Sequence, residues 1–111
     1  MNVQIETSRD VKIVRIKEDK LAYPKLPDFL TRVTDLVESG TRKLIIDFSA
    51  VRYMDSASLG CLMDIHRLMS ERAGSVKLVG LQDRVEAMVG MTGLLKLMEV
   101  YREEKTALAS F

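Results

Sequence analysis

The sequence predicts an α/β fold: a mixed sheet opened by a hairpin and continued by strands and helices in alternation, with the helices packed on the sheet. Three observations predict it. Two short runs near the start alternate apolar and polar residues, a continuous apolar strand follows a helix-period segment, and the alternation of strand and helix then repeats. A chain of 111 residues is expected to form a single domain over residues 1–111. With 47% hydrophobic residues it can fill a core without help from disulfides or a metal.

The elements follow in order. Val3 and Ile5 alternate with polar neighbours, as do Val11, Ile13 and Ile16 beyond a turn at Ser8–Asp10, which reads as a β-hairpin. Pro24 and Pro27 then bracket the start of a helix, since proline is tolerated in a first helical turn. Phe29, Leu30, Val33, Leu36 and Val37 recur at three- and four-residue spacing, and Gly40 supplies the stop. Leu44, Ile45, Ile46 and Phe48 make the compact apolar run of a strand covered on both faces. A loop through Tyr53 and Met54 leads into a second helix from Ser56 to about Arg72. Its apolar stripe carries Leu59, Leu62, Met63, Ile65, His66 and Met69, and Gly74 terminates it. Val76, Leu78 and Val79 form the next strand, Val85, Met88 and Val89 a third helix, Leu97–Tyr101 a last strand and Glu103–Ser110 a closing helix. The order β-β-α-β-α-β-α-β-α calls for parallel βαβ crossovers. The methionines, among them Met63, Met69, Met88 and Met91, read as core fillers, with a surface role for Met88 and Met91 as the alternative.

Composition removes several function classes. A net charge of +1, with acids and bases interspersed as in Arg32, Asp35, Glu38, Arg42 and Lys43, offers no field for nucleic acid. Cys61 is the sole cysteine, so a disulfide within the chain is impossible and nothing points to an oxidising compartment. The start carries charges throughout and lacks the apolar stretch of a secretory signal. Apolar runs fall short of the ~20 residues that a membrane helix requires. A cytoplasmic location is expected, with no nucleic-acid partner and no direct membrane contact.

One segment stands above this background, Leu44 to Met69. A buried strand ends at Asp47, a loop crosses Tyr53 and Met54, and Asp55-Ser56 opens a helix. Ser and Asp are preferred caps because their oxygens accept from amides left unpaired in the first turn, so Asp55 and Ser56 can be read simply as starting the helix. The same helix start carries roughly half a positive charge and free amides, which suits a phosphate. Phosphorylation of Ser56 would add about −1.5 to −2 charge there without unfolding the helix. That is what a reversible binding switch requires.

Met54-Asp55-Ser56-Ala57-Ser58-Leu59-Gly60 resembles the phosphorylation motif of the STAS domain, in particular the bacterial anti-sigma factor antagonists. The likeness extends to the opening hairpin, the helix stopped at Gly40, the Met91-Thr92-Gly93-Leu94 element and the closing helix. It implies a STAS-like mixed sheet and a regulatory protein rather than an enzyme, without cofactor. By that resemblance Ser56 is the phosphorylation site. Asp55, Ser56, Ala57, Ser58 and Gly60 face the partner, with Asp55 orienting Ser56 or touching that partner. The implied partner is an anti-sigma factor serine kinase of the histidine-kinase-like ATPase fold. The unphosphorylated protein binds it and frees the sigma factor, phosphorylation ends the binding, and a PP2C-type serine phosphatase resets it. A monomer between partners is expected. The alternative within the same fold is a non-switching scaffold subunit of a signalling or membrane transport complex, with Ser56 only a cap.

Two departures from the family pattern matter. A glycine usual before the Leu-Gly pair is Ser58 here, which can cap, contact a phosphate or compete as acceptor. A Gly-Glu-Leu-Asp-like turn in relatives becomes Glu18-Asp19-Lys20-Leu21, with Leu21 where the aspartate falls and Asp19 as the candidate substitute.

Catalytic alternatives fare poorly. His66 is the sole histidine, ten residues after Ser56 on one helix, and a rise of about 1.5 Å per residue separates the two by roughly 15 Å. They are not a catalytic pair, and His66 reads as a half-buried structural residue. Asp47, Asp55 and Asp64, scattered over strand end, loop and helix, read as caps and surface charges rather than metal ligands. No glycine-rich phosphate loop or aromatic stacking platform is present.

Overall fold

The computed structural model describes residues 1–111. The opening hairpin is β1 (Val3–Ser8) and β2 (Val11–Ile16), followed by β3 (Lys20–Leu21) and α1 (Leu26–Glu38). Then come β4 (Lys43–Asp47), β5 (Tyr53–Met54), α2 (Ser56–Glu71), β6 (Ser75–Val79) and α3 (Asp83–Gly90). A single 3-10 turn at Leu94–Lys96 precedes β7 (Glu99–Tyr101) and α4 (Glu104–Ala109). Five strands form the main sheet in the order β1-β2-β4-β6-β7. β1 runs antiparallel to β2, and the other neighbours are parallel. This is the mixed α/β sheet with an opening hairpin that the pattern predicts.

The continuous apolar reading of β4 has its cause in the two faces of the sheet. Leu44 and Ile46 point into the large core shared with Phe29, Val33, Leu62, Ile65 and Val85, on the side of α1, α2 and α3. Ile45 points the other way, into a small cluster with Val11, Ile13, Val79 and Ala107 of α4. All three β4 residues are fully buried. Leaving them exposed instead would cost about 1.5–3 kcal/mol each, so this strand anchors the fold.

Three boundaries differ from expectation. Tyr53 and Met54, read as loop, form β5, which pairs in parallel with β3 as Lys20↔Tyr53 and Leu21↔Met54. Two-residue strands leave no period to detect, and burial of Leu21 and Met54 holds the pair together. The last strand begins at Glu99 rather than Leu97, because Leu94 is buried and its carbonyl accepts from the N–H groups of Leu97 and Met98 in a tight turn. Leu97 is left exposed. The residue that reverses the chain after α2 is Ala73, with φ of 57°, and not Gly74. Gly74 answers a different need: a Cβ there would lie 2.8 Å from the Arg42 carbonyl oxygen.

Of the methionines, Met69 is buried, and Met63 and Met88 are half-buried against the core. Met91 is no core filler, being 87% exposed. No helix is long and apolar enough to cross a membrane.

Candidate functional site

The approach to the site is a loop pinned by buried side chains. Phe48, Val51 and Met54 have no exposed surface, and the N–H groups of Arg52 and Tyr53 donate to the Asp19 carbonyl at 2.7 and 3.3 Å. The chain therefore reaches Asp55 with little freedom. Asp55 is extended (φ −93°, ψ 176°) and caps α2. Its Oδ1 accepts from the Ser58 N–H at 2.8 Å, and its Oδ2 accepts from the Tyr23 N–H at 3.2 Å. The Ser58 N–H chiefly holds the Asp55 carboxyl below its ordinary range, slight burial opposes it, and the Tyr23 N–H adds to the lowering. Asp55 is thus an anion at neutral pH.

Ser56 and Ala57 are the first two helical residues, and both are exposed. Their N–H groups belong to the turn that has no intrahelical acceptor. Gly60 is exposed on the same helix, and a Cβ added to it would meet nothing within 4 Å. Ser56, Ala57 and Gly60 thus leave a nearly bare strip of helix backbone beside the Asp55 cap.

Of the roles open to it, Ser58 takes that of a cap. It is fully buried, and its hydroxyl donates back to the Asp55 carbonyl at 2.8 Å while its N–H donates to the Asp55 carboxylate. The two residues cap each other, as Ser/Asp pairs at helix starts do. Ser58 thus supports the cap from inside the turn and has no surface of its own at the helix start. The Asp19 carboxylate faces Arg52 at 3.4 Å, and Leu21 is buried in the core.

The other candidate side chains are spoken for. Asp47 bonds Arg15 at 2.9 Å through Oδ2 and Ser49 at 2.6–2.8 Å through Oδ1. Asp64 pairs with Arg67 along α2 at 3.3 Å. His66 is half-buried on α2, the same helix that Ser56 begins.

Pattern reading missed Tyr23, a residue 73% exposed although its N–H is tied to the cap. The sequence signal was an aromatic residue next to Pro24 just before a helix, weak by itself. It also missed Arg84, whose guanidinium stands 5.7 Å from the centroid of the Tyr53 ring.

The STAS domain family model matches residues 2–107. The chain belongs to the STAS domain family. This STAS domain is 30% identical over 104 residues to the anti-sigma-B factor antagonist of Staphylococcus aureus, covering 90% of this chain and 94% of that one. It is 26% identical to the anti-sigma F factor antagonist of Paenibacillus polymyxa, covering 97% and 94%. Among solved structures it resembles a Thermotoga maritima protein provisionally described as an anti-sigma factor antagonist. That match has a TM-score of 0.88 at 25% identity over 97% of this chain and 92% of the other.

Proposed function

We propose that this STAS domain is an anti-sigma factor antagonist switched by phosphorylation of Ser56. Unphosphorylated, it binds an anti-sigma factor serine kinase of the histidine-kinase-like ATPase fold and releases that protein's sigma factor. Phosphate on Ser56 ends the binding, and a PP2C-type serine phosphatase restores it. On this reading the protein is a cytoplasmic, monomeric, single-domain binding protein with no catalytic residues.

One observation carries the reading: Ser56 is exposed at the start of α2, directly beside an ionised Asp55 that already holds the cap. A phosphate there leaves the core untouched, because the buried serine of the turn is Ser58. It brings about −1.5 to −2 charge against an existing carboxylate. At an interface, desolvating such an anion pair costs several kcal/mol, and each ~1.4 kcal/mol is a tenfold change in affinity. One modification is thus enough to convert a tight complex into a negligible one. Kinship to proteins named as antagonists of anti-sigma factors supports the partner class.

The test is phosphopeptide mass spectrometry on the protein from its native cells across growth conditions, with titration calorimetry of Ser56 variants against the anti-sigma factor. Phosphate that comes and goes on Ser56, constitutive binding by Ser56→Ala and weak binding by Ser56→Asp are expected. Ser56 unmodified in every condition, with both variants binding as wild type, would replace the switch by the scaffold.

A further inference from the structure

We infer that Tyr23 is a second contact residue for the protein partner, and that Asp55 couples its position to the state of Ser56. The inference rests on the switch proposed above and extends it to a turn 32 residues distant in sequence.

The placement comes from strand register. β3 and β5 pair in parallel with Leu21 opposite Met54. The two chain segments that leave this pair side by side carry Tyr23 on one and Asp55, followed by Ser56, on the other. The bond from the Tyr23 N–H to Asp55 Oδ2 at 3.2 Å fixes the turn at this point. The residue is nevertheless left 73% exposed. Pro24 follows, with its fixed φ and no N–H to donate, so the ring is offered from a stiff turn. A shallow cavity of about 300 Å3 opens beside it, walled by Tyr23, Pro24, Lys20 and Lys25 with Glu18 and Asp19. Exposed tyrosines with few rotatable bonds are favoured anchors in protein interfaces. The partner implied is a protein surface with an apolar socket for the phenol ring, adjacent to whatever covers the bare strip of α2.

The coupling follows from how Asp55 divides its carboxylate. One oxygen serves the Ser58 N–H at 2.8 Å, within the helix; the other serves Tyr23 at the longer 3.2 Å, outside it. A phosphate on Ser56 puts a second anion against this carboxylate. The Ser58 bond is supported by the positive end of the helix, so the Tyr23 bond yields first. Phosphorylation then disturbs two parts of the partner surface together, the helix start and the aromatic prong.

Two measurements test this. Affinities for the purified anti-sigma factor of the source organism are compared among wild type, Tyr23→Ala, Tyr23→Phe and protein carrying phosphoserine at position 56. Amide exchange at Tyr23 and Ser58 is followed by NMR with and without that phosphate. Tyr23→Ala is expected to weaken binding at least tenfold with unchanged melting, since its structural bond uses the backbone, and Tyr23→Phe to stay within threefold. The phosphate is expected to speed exchange of the Tyr23 amide at least tenfold and that of Ser58 by less than twofold. If phosphate abolishes binding but Tyr23→Ala binds like wild type, Tyr23 is no contact and the switch stands without it. Unchanged Tyr23 exchange refutes the coupling, and phosphorylated protein that binds as tightly as unmodified protein refutes the switch and the inference with it.

Discussion

Replacing Gly60 by alanine separates what the fold requires of α2 from what recognition requires. Gly60 lies inside a 16-residue helix, and a methyl group at that position meets nothing within 4 Å. Glycine in a helix interior is about 0.8–1 kcal/mol less favourable than alanine, chiefly through backbone entropy. No clash opposes that gain here, so Gly60→Ala is expected to stabilise the domain by roughly 0.5–1 kcal/mol. For a domain of this size, that raises the melting temperature by about 2–6 °C. Urea denaturation and calorimetry measure it. The same methyl group stands where a partner would approach the helix backbone, so affinity for the anti-sigma factor is expected to fall at least tenfold, about 1.4 kcal/mol. A melting temperature at or below wild type would refute the reading of open space around Gly60. A stabilised variant with unchanged affinity would refute its place in the binding surface.

Four further outcomes follow from the same geometry. Ser58→Ala should lower stability by about 1 kcal/mol through loss of the return bond to Asp55, and a phosphate map should find Ser58 unmodified; phosphate there would contradict its burial. Ala73→Gly should raise stability by about 0.5–1 kcal/mol, because the left-handed φ at this position strains a residue with a Cβ; a neutral or negative change in urea midpoint would count against it. In the cluster around Arg15, its guanidinium holds the Glu6 carboxyl below the ordinary 4.5, while for Asp47 burial works upward and is outweighed by bonds from Ser49 and Arg15, leaving it below 3.8. Lowered folded values mean stability that is present above these pH values and lost as pH falls through and below them, so Arg15→Gln should flatten the decline below about pH 4.5; equal slopes would show that the cluster does not govern acid unfolding. The Cys61 thiol, pushed up to about 12 mainly by burial, should resist Ellman's reagent at pH 8 until urea unfolds the chain; rapid native labelling would contradict the packing of α2.

Much of this architecture lies in patterns that act over a few residues. The hairpin alternation, the two-sided apolar run of β4, the helical spacing in α1 and the Asp55-Ser56 start of α2 each answer to local periodicity or capping, and each stands where the pattern placed it. Where local signals compete, pattern reading slipped. Leu94 to Met98 is apolar enough to suggest strand, yet a buried Leu94 and its carbonyl wind the segment into a 3-10 turn first. β3 and β5 are too short to carry a period at all.

The candidate site divides in the same way. That Asp55 caps a helix, and that a serine follows it, is decided by residues within one turn of each other, and the sequence by itself determined it. Which serine faces solvent was left to tertiary structure. Ser56 and Ser58 are two positions apart, about 200° around the helix axis, and packing of α2 on the sheet buries one and exposes the other. Tertiary structure alone also decided that Tyr23 meets Asp55, and that Arg15, Glu6, Asp47 and Glu104 form one charge cluster. These groups are brought together by strand register, and register is set by burial of side chains such as Leu21 and Met54 that are far apart in the chain. Local capping is a property of adjacent residues, whereas contacts between distant residues exist only once the core has chosen which faces to hide.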